Sequence, residues 1–429
     1  MTTLAPVPDQ AVVEHRRVTV VSWKATIGFG VVTALFALLL VLAPRTGNAA
    51  FRLATDGDLF TLPNLSVPGM ATAWICVVVM ALLVLLVGLL SARGRRVPLW
   101  VPVLFAVVFL FGFLAWAAAG SDRDIPFVRL IGGSVLLAVP IVFGALGGVI
   151  GERAGVVNIA IEGQLLAGAF TAAVVGSVTD SPWLGLLAAI VSGVLVAAVL
   201  AVFAITYRVN QVIVGVVLNV LVIGLTSFFY SQVLVPSAEQ LNDTTRFERI
   251  AIPLLSKIPI IGPALFNQTV VVYLMYLAVP AVWFALSRTR WGLRVRAVGE
   301  HPKAADTVGI KVERTRWRAV LIAGGIAGVG GAFYTVVSVS SFGKEMTAGA
   351  GFIALAAVIF GNWDPIRAAL AALLFGFASN LEGALSIVGA PVPSQFMLML
   401  PYVVTILAVA GLVGRSRAPA ASGEPYVKE

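Results

Sequence analysis

A single cysteine, Cys76, and two histidines, His15 and His301, are all the chain offers as soft metal ligands. One thiol builds no disulfide framework. Two imidazoles so far apart in sequence leave no histidine-based metal site. Charge is scarce as well: Asp, Glu, Lys and Arg make up 11% of the residues, where a soluble domain carries roughly 25%. That is too little polar material to coat a water-exposed globule. No G-x-x-x-x-G-K-[ST] phosphate loop occurs, so the chain is not expected to hydrolyse ATP itself. An aspartate-rich pair, a nucleophile elbow and H-E-x-x-H are missing too. The expectation is a non-enzyme with no cofactor and no metal of its own.

Hydrophobic residues supply 59% of the chain. They gather in long uncharged runs such as Gly69 to Ser91 and Ala319 to Phe342. Each reaches the roughly 20 residues a helix needs to cross about 30 Å of hydrocarbon. Spans are expected near 25–43, 69–91, 98–119, 127–150, 156–178, 183–206, 210–235, 268–287, 319–342, 365–388 and 395–413, with a short apolar segment at 350–361. The predicted fold class is all-α, a polytopic membrane bundle of about 10–12 segments, some discontinuous. The first run follows His15, Arg16, Arg17 and Lys24, which is signal-peptide order, but it is of spanning length and ends at Pro44-Arg45 without a small-x-small site. It is read as a retained helix.

The formal charge of +9 calls for no nucleic acid, because Lys and Arg collect on inner loops of membrane proteins. The longest basic stretch, Arg288 to Arg318, is placed inside, with both termini. That orientation requires 350–361 to cross; if it re-enters instead, the last two helices invert. The segment after Gly414, RSRAPAASGEPYVKE, reads as disordered on composition.

Four motifs carry the functional signal. GERAGVVNIAIEGQLLAGAF, Gly151 to Phe170, brings Asn158, Glu162 and Gln164 into an apolar segment bracketed by glycines. A buried carboxylate there faces a cavity or a partner; lining the solute path and capping a backbone gap are both open. WGLRVRAVGEHPKAADTVGIKVERTRWR, Trp291 to Arg318, holds Pro302 at a helix start and Gly309 at its end. The predicted helix Pro302–Val308 is exposed and rich in small residues (Ala304, Ala305), a shape that lets another protein approach closely. AGGIAGVGGAFY sets Gly324, Gly328 and Gly331 on one helix face, suited to close helix crossing. GAGFIALAAVIFGNWDPIRAALAALLFGFASNLEG, Gly349 to Gly383, contains a second interrupted segment and then Asn380 and Glu382. Paired interruptions point to a midplane site in transporters. The triplets IEG (161–163) and LEG (381–383) suggest a faint repeat. Asn158, Glu162, Gln164, Asn219, Tyr334, Asn380 and Glu382 are the candidates for the path.

Taken together, ERAGVVNIAIEG, VGEHPKAADTVGIKV and GFIALAAVIFGNWDP resemble permease subunits of bacterial ABC importers in the branched-chain amino acid and simple-sugar permease superfamily, and within it the nucleoside importers linked to basic membrane proteins. The resemblance covers about residues 130–410. It implies a type II importer fold, with a cytoplasmic tail at 1–24, extra helices at 25–125, a permease core at 126–414 with its coupling loop at 288–318, and a cytoplasmic tail at 415–429. It implies that Glu300, His301, Pro302, Ala304, Ala305, Asp306 and Gly309 form the coupling helix, EHPKAADTVG standing where many permeases have an EAA---G sequence. The implied partners are a cytoplasmic tandem-domain ABC ATPase that holds ATP and Mg, a second homologous permease, a substrate-binding lipoprotein docking near loops 44–68 and 236–267, and membrane lipid. The implied place is the bacterial inner membrane. Simple sugars or branched-chain amino acids are the alternative cargoes, and an ion-coupled secondary transporter using Glu162 and Glu382 is the rival mechanism.

Overall fold

A computed structural model describes residues 23–55, 57–95, 97–98, 100–387, 389, 399 and 417–428. The span expected at 395–413 lies outside the described residues but for Met399. Ten described helices are long and apolar enough to cross a membrane, and the chain divides into two compact units.

The first unit lies within Met1–Asn48 and Val67–Gly120. It holds α1 (Lys24–Leu42), α2 (Gly69–Ala92) and α3 (Trp100–Ala117). Runs of Leu, Val, Ala and Phe make each helix apolar on every side, as a lipid-exposed helix must be. Close approach is set by small residues: a Cβ on Gly112 would stand 2.7 Å from the Cβ of Cys76. The lone thiol is therefore a packing residue. Phe29 stacks on Phe105 with ring centroids 4.4 Å apart. The Trp116 indole donates to the Ala43 carbonyl at 2.9 Å, and Arg45 donates to Ala117, which ties the exit of α1 to the end of α3.

The second unit, Ala49–Ser66 with Ser121–Glu429, is built around α4 (Phe127–Arg153). Every residue of α4 from Ala138 to Glu152 is buried. A helix buried all round belongs at the centre of a bundle. Packed against it or its neighbours are α5 (Ile161–Thr179), α6 (Pro182–Ala201), α10 (Val270–Arg288), α13 (Val312–Phe333), α14 (Ala350–Phe360) and α15 (Pro365–Ile387), with α7 (Gln211–Phe229) against α5. Pro140 lies inside α4, a place that membrane bundles tolerate for proline. α6, α7 and α13 each run on into a π turn, at Val202–Thr206, Tyr230–Leu234 and Tyr334–Val339. Between α7 and α10 lie α8 (Ala238–Leu241) and α9 (Ile261–Leu265); α11 (Arg290–Glu300) and α12 (Pro302–Thr307) precede α13. Short strands lie in the loops: Phe51 and Arg52 pair in parallel with Ile125 and Pro126, and Arg249–Ala251 pairs antiparallel with Asn267–Thr269.

The glycine stripe is a packing surface. A Cβ on Gly324 would meet the Ala197 side chain at 2.3 Å, one on Gly328 the Ala189 carbonyl at 2.2 Å, and one on Gly331 the Leu165 carbonyl at 2.1 Å. The first two press on α6 and the third on α5.

Several expectations need correction. α13 begins at Val312, before the apolar run expected from 319, because Arg314, Arg316 and Arg318 lie on its first turns. α5 begins at Ile161 and not near 156, since 154–160 is non-helical. IEG opens α5 whereas LEG sits inside continuous α15, so the triplets occupy unlike places and mark no repeat. The short segment crosses. Ser340 and Val336 accept bonds from Thr244 and Phe247 beside the far end of α5, while Trp363 meets Arg153 at the end of α4. Segment 340–361 thus joins opposite ends of the bundle, and the re-entrant alternative does not hold.

Candidate functional site

The first interruption follows α4. Gly155, with φ +85°, turns the chain back, and Val156 donates to the Gly151 carbonyl at 3.0 Å. Residues 156–160 then re-enter the bundle without helical bonds of their own. Irregular backbone at membrane depth survives only where protein satisfies it. Two amide side chains, Gln211 and Asn219, do so. Gln211 accepts from Val157 N at 2.7 Å. Asn219 donates to the Ile159 carbonyl at 2.9 Å and accepts from Gly163 N at 2.8 Å. Asn158 donates to Gln164 at 3.0 Å, and both are fully buried. α7 comes close enough to serve because a Cβ on Gly215 would already touch Ile159 at 2.8 Å. A methyl group of Ile161 sits against Gly144 and Gly148, so α5 starts inside the bundle, roughly 10 Å from the end of α4.

The second interruption precedes α14. Ser340 is left-handed at φ +62° and Gly349 at φ +82°. The first amides of a helix need acceptors, and here they find Glu162. Its carboxylate accepts from Thr347 Oγ1 at 2.6 Å, Gly349 N at 2.9 Å and Gly351 N at 2.6 Å. A negative charge at a helix N-terminus is also favoured by the helix dipole. Gly351 is required: a Cβ there would lie 2.4 Å from Glu162 N. Near Gly343–Met346, Asn242 exchanges two bonds with the Phe342 backbone, at 2.6 and 3.1 Å. The two interruptions therefore form one junction, with Glu162 at its centre.

The α12 end of the unit is a second focus. Asn362 and Trp363 are both left-handed, at φ 53° and 54°, a costly pair of conformations that its surroundings must hold in place. The Trp363 indole donates to the buried Glu152 carboxylate, and Arg153 Nε donates to the Trp363 carbonyl at 3.0 Å. Gly299 touches the Arg153 backbone, where a Cβ would stand 2.2 Å from its carbonyl. Thr289 caps α11. Pro302 opens α12, and Gly309, at φ +84°, ends it. His301, Lys303 and Ala304 are exposed. Ala305 is not: it is 4% exposed, packed with Val298, Val312 and Tyr426. The expectation that Ala304 and Ala305 jointly present a smooth face is corrected to Ala304 alone. Asp306 pairs with Lys428 at 3.9 Å. The disorder expected after Gly414 is likewise corrected for 417–428, which is bonded to this end.

Other predicted residues lie elsewhere. Tyr334 is half-buried at the π turn. Asn380 bridges α15 to α4, donating to the Leu130 carbonyl at 2.7 Å and Ser134 Oγ at 3.3 Å. Glu382 is half-buried on α15. Gln211, Asn242, Thr347, Glu152 and Trp363 were missed as site residues. Polarity at the edge of an apolar run flags Gln211 and Glu152; nothing local flags Asn242 or Thr347. At the far end, near the start of α4, a cavity of about 610 Å³ is lined by Arg52, Arg129, Arg249, Lys257 and Gln268. Gln268 is 2% exposed and donates to Ala264 at 2.6 Å.

Residues 130–409 match the family described as branched-chain amino acid transport system / permease component. The chain belongs to this family. The chain is 40% identical to the guanosine ABC transporter permease protein NupQ of Bacillus subtilis, over 70% of its own length and 96% of that relative. It is 39% identical to the nucleoside ABC transporter permease protein NupC of Lactococcus lactis, over 70% and 96%. A putative glucose ABC transporter permease protein, TsgC13 of Haloferax volcanii, is 40% identical over 59% and 76%. No solved structure matches the chain. As an ABC permease it is a multi-pass membrane transport component, and the ATPase that drives it is a separate subunit.

Proposed function

We propose that this permease forms half of the translocation path of an importer for nucleosides, working by alternating access. The observation that carries the cargo is its 40% identity to a guanosine permease across 96% of that protein. In this reading α12 is the coupling helix, received by a tandem-domain ATPase holding ATP and Mg. α11, which leads directly into α12, touches the bundle through Gly299 on Arg153, and Arg153 holds the turn that ends α14, so a push on α12 reaches the Glu162 junction through α11 and packed groups. A second, homologous permease supplies the other half of the path. An extracytoplasmic lipoprotein delivers the solute at the cationic cavity, whose Arg52, Arg129, Arg249 and Lys257 suit an acidic docking face. In this reading α12 and both termini face the cytoplasm, and the chain sits in a bacterial inner membrane.

Asn158, Glu162, Gln164 and Asn219 serve this path as the frame that keeps its broken helices in place; Tyr334, Asn380 and Glu382 stay as candidates to meet solute. The test is uptake of radiolabelled guanosine by cells deleted for this chain and complemented with it. Uptake restored, and competed by unlabelled nucleosides but not by glucose or leucine, supports the reading. A specific observation favours sugar as the second reading, the 40% identity to a putative glucose permease, and restoration of glucose uptake instead would overturn the nucleoside assignment.

A further inference from the structure

Residues 417–428 are made of Ala, Pro, Ser and Gly with a few charges, one tyrosine and one valine, a composition with little drive to fold alone. They are nonetheless held along their length. Arg417 N donates to Asn362 Oδ1 at 3.1 Å. Ala420 N donates to the Glu300 carboxylate at 3.3 Å, Ala421 N to the Gly299 carbonyl at 2.9 Å and Gly423 N to the Gly155 carbonyl at 3.3 Å. The Tyr426 side chain is buried with Val298, Ala305 and Val312. The segment therefore spans the turn after α4, the end of α11, α12 itself and the turn after α14.

Arg316, on the first turns of α13, ties it down from beneath. Arg316 is 1% exposed and its guanidinium donates to the Glu424 carbonyl at 2.9 Å, while among the described residues its Nε and Nη2 find no partner. A buried cation so thinly satisfied is expensive, and the segment is what supplies its one bond.

Between this segment and α12 runs an open groove of about 720 Å³, with Glu300–Ala304 on one wall and Ala420, Ala421 and Glu424–Val427 on the other. Beside the Asp306–Lys428 pair, Val308 is 75% exposed and Val427 53% exposed. Exposed valines bordered by charged groups suit the apolar centre and polar rim of a protein interface. Charges of both signs, Glu300, Glu424 and Asp306 with Lys428, suit a protein face and not an anionic lipid surface. The groove is continuous with α12.

We propose that the importer's ATPase grips α12 and residues 417–428 together, as one composite socket. This rests on the reading of α12 as the docking helix. In the full importer complex in nanodiscs, Ala304→Cys and Val427→Cys are probed separately by maleimide labelling and by cross-linking to the ATPase; Cys76 is buried and stays. Both positions are expected to cross-link to the ATPase and to label about tenfold more slowly on assembly, as interface positions do. If Ala304→Cys is protected while Val427→Cys labels as fast as in the free chain, the socket is wrong and the α12 reading survives. If neither is protected, both fall. Cross-links from Val427→Cys to a second permease or to lipid also overturn the socket. A chain lacking 417–428 is expected to reach the membrane but retain about tenfold less ATPase on co-purification, a change of about 1.4 kcal/mol; full retention would refute the proposal.

Discussion

The carboxylate of Glu162 lies 2.6 Å from the amide of Gly351, so the first turn of α5 closes the open N-terminus of α14. Two helix breaks, almost two hundred residues apart in sequence, satisfy each other inside the bundle. With Gly349 N and Thr347 Oγ1 donating to the same side chain, Glu162→Ala strands three donors. Each stranded buried group costs about 1–3 kcal/mol. The apparent melting temperature in detergent is expected to fall by several degrees and uptake to be lost. Glu162→Gln keeps one acceptor oxygen and should fall between. An unchanged melting temperature in Glu162→Ala would mean that the junction is not held by this residue.

The same geometry separates bracing from ion coupling. A carboxylate whose oxygens are occupied by backbone amides has no need of a travelling ion. ATP-driven uptake in reconstituted vesicles should proceed unaltered when proton and sodium gradients are dissipated. Uphill transport by the permease alone on such a gradient would reverse the assignment.

Asn219 offers a test of the first break. Asn219→Leu removes the partners of Ile159 O and Gly163 N and should cost about 2–4 kcal/mol, since two buried backbone groups lose their bonds. Asn158 and Gln164 bond only through their side chains, so a double-mutant cycle to Ala should give a coupling energy of about 0.5–3 kcal/mol. Denaturation of the four proteins in one detergent measures it, and strict additivity would deny the pair.

At the glycine stripe, Gly328→Ala and Gly331→Ala place a methyl about 2 Å from a carbonyl. Overpacking of this kind costs about 1–3 kcal/mol. At Gly224 and Gly383 an added methyl would meet nothing within 4 Å, so alanine there is the matched control. Equal stability across all four would remove the packing role.

Trp363→Phe keeps an aromatic ring but deletes the donor to Glu152. An unpartnered buried carboxylate makes this loss worth about 1–3 kcal/mol. Glu152→Gln in the same background should recover part of it, because a neutral amide is less costly to leave buried. Thermal denaturation of the single and double variants reads the difference.

Much of the architecture was legible because hydropathy reports burial in lipid directly. α1, α2, α6 and α7 begin and end close to their apolar runs. The misses share a cause. α13 carries arginines on its first turns, so a hydropathy boundary falls inside the helix. Residues 156–160, VVNIA, are as apolar as any helix and break it only because Gly155 turns the chain and Gln211 and Asn219 arrive to satisfy it. Asn158, Glu162 and Gln164 announced themselves as polar in an apolar run. That Asn158 and Gln164 bond each other and that Glu162 bonds Thr347, Gly349 and Gly351 depends on how the chain folds back, in the last case on partners almost two hundred residues away. Residues 417–428 looked unstructured because composition counts what a segment can bury, not which exposed carbonyls it can lean on.

A weld between the first turns of α5 and α14 has a mechanical meaning. The two half-helices have to travel as one piece, since parting them would bare a carboxylate and several amides to hydrocarbon at once. Opening and shutting then belongs to the hinges around that piece, at Gly155 on one side and Ser340 on the other.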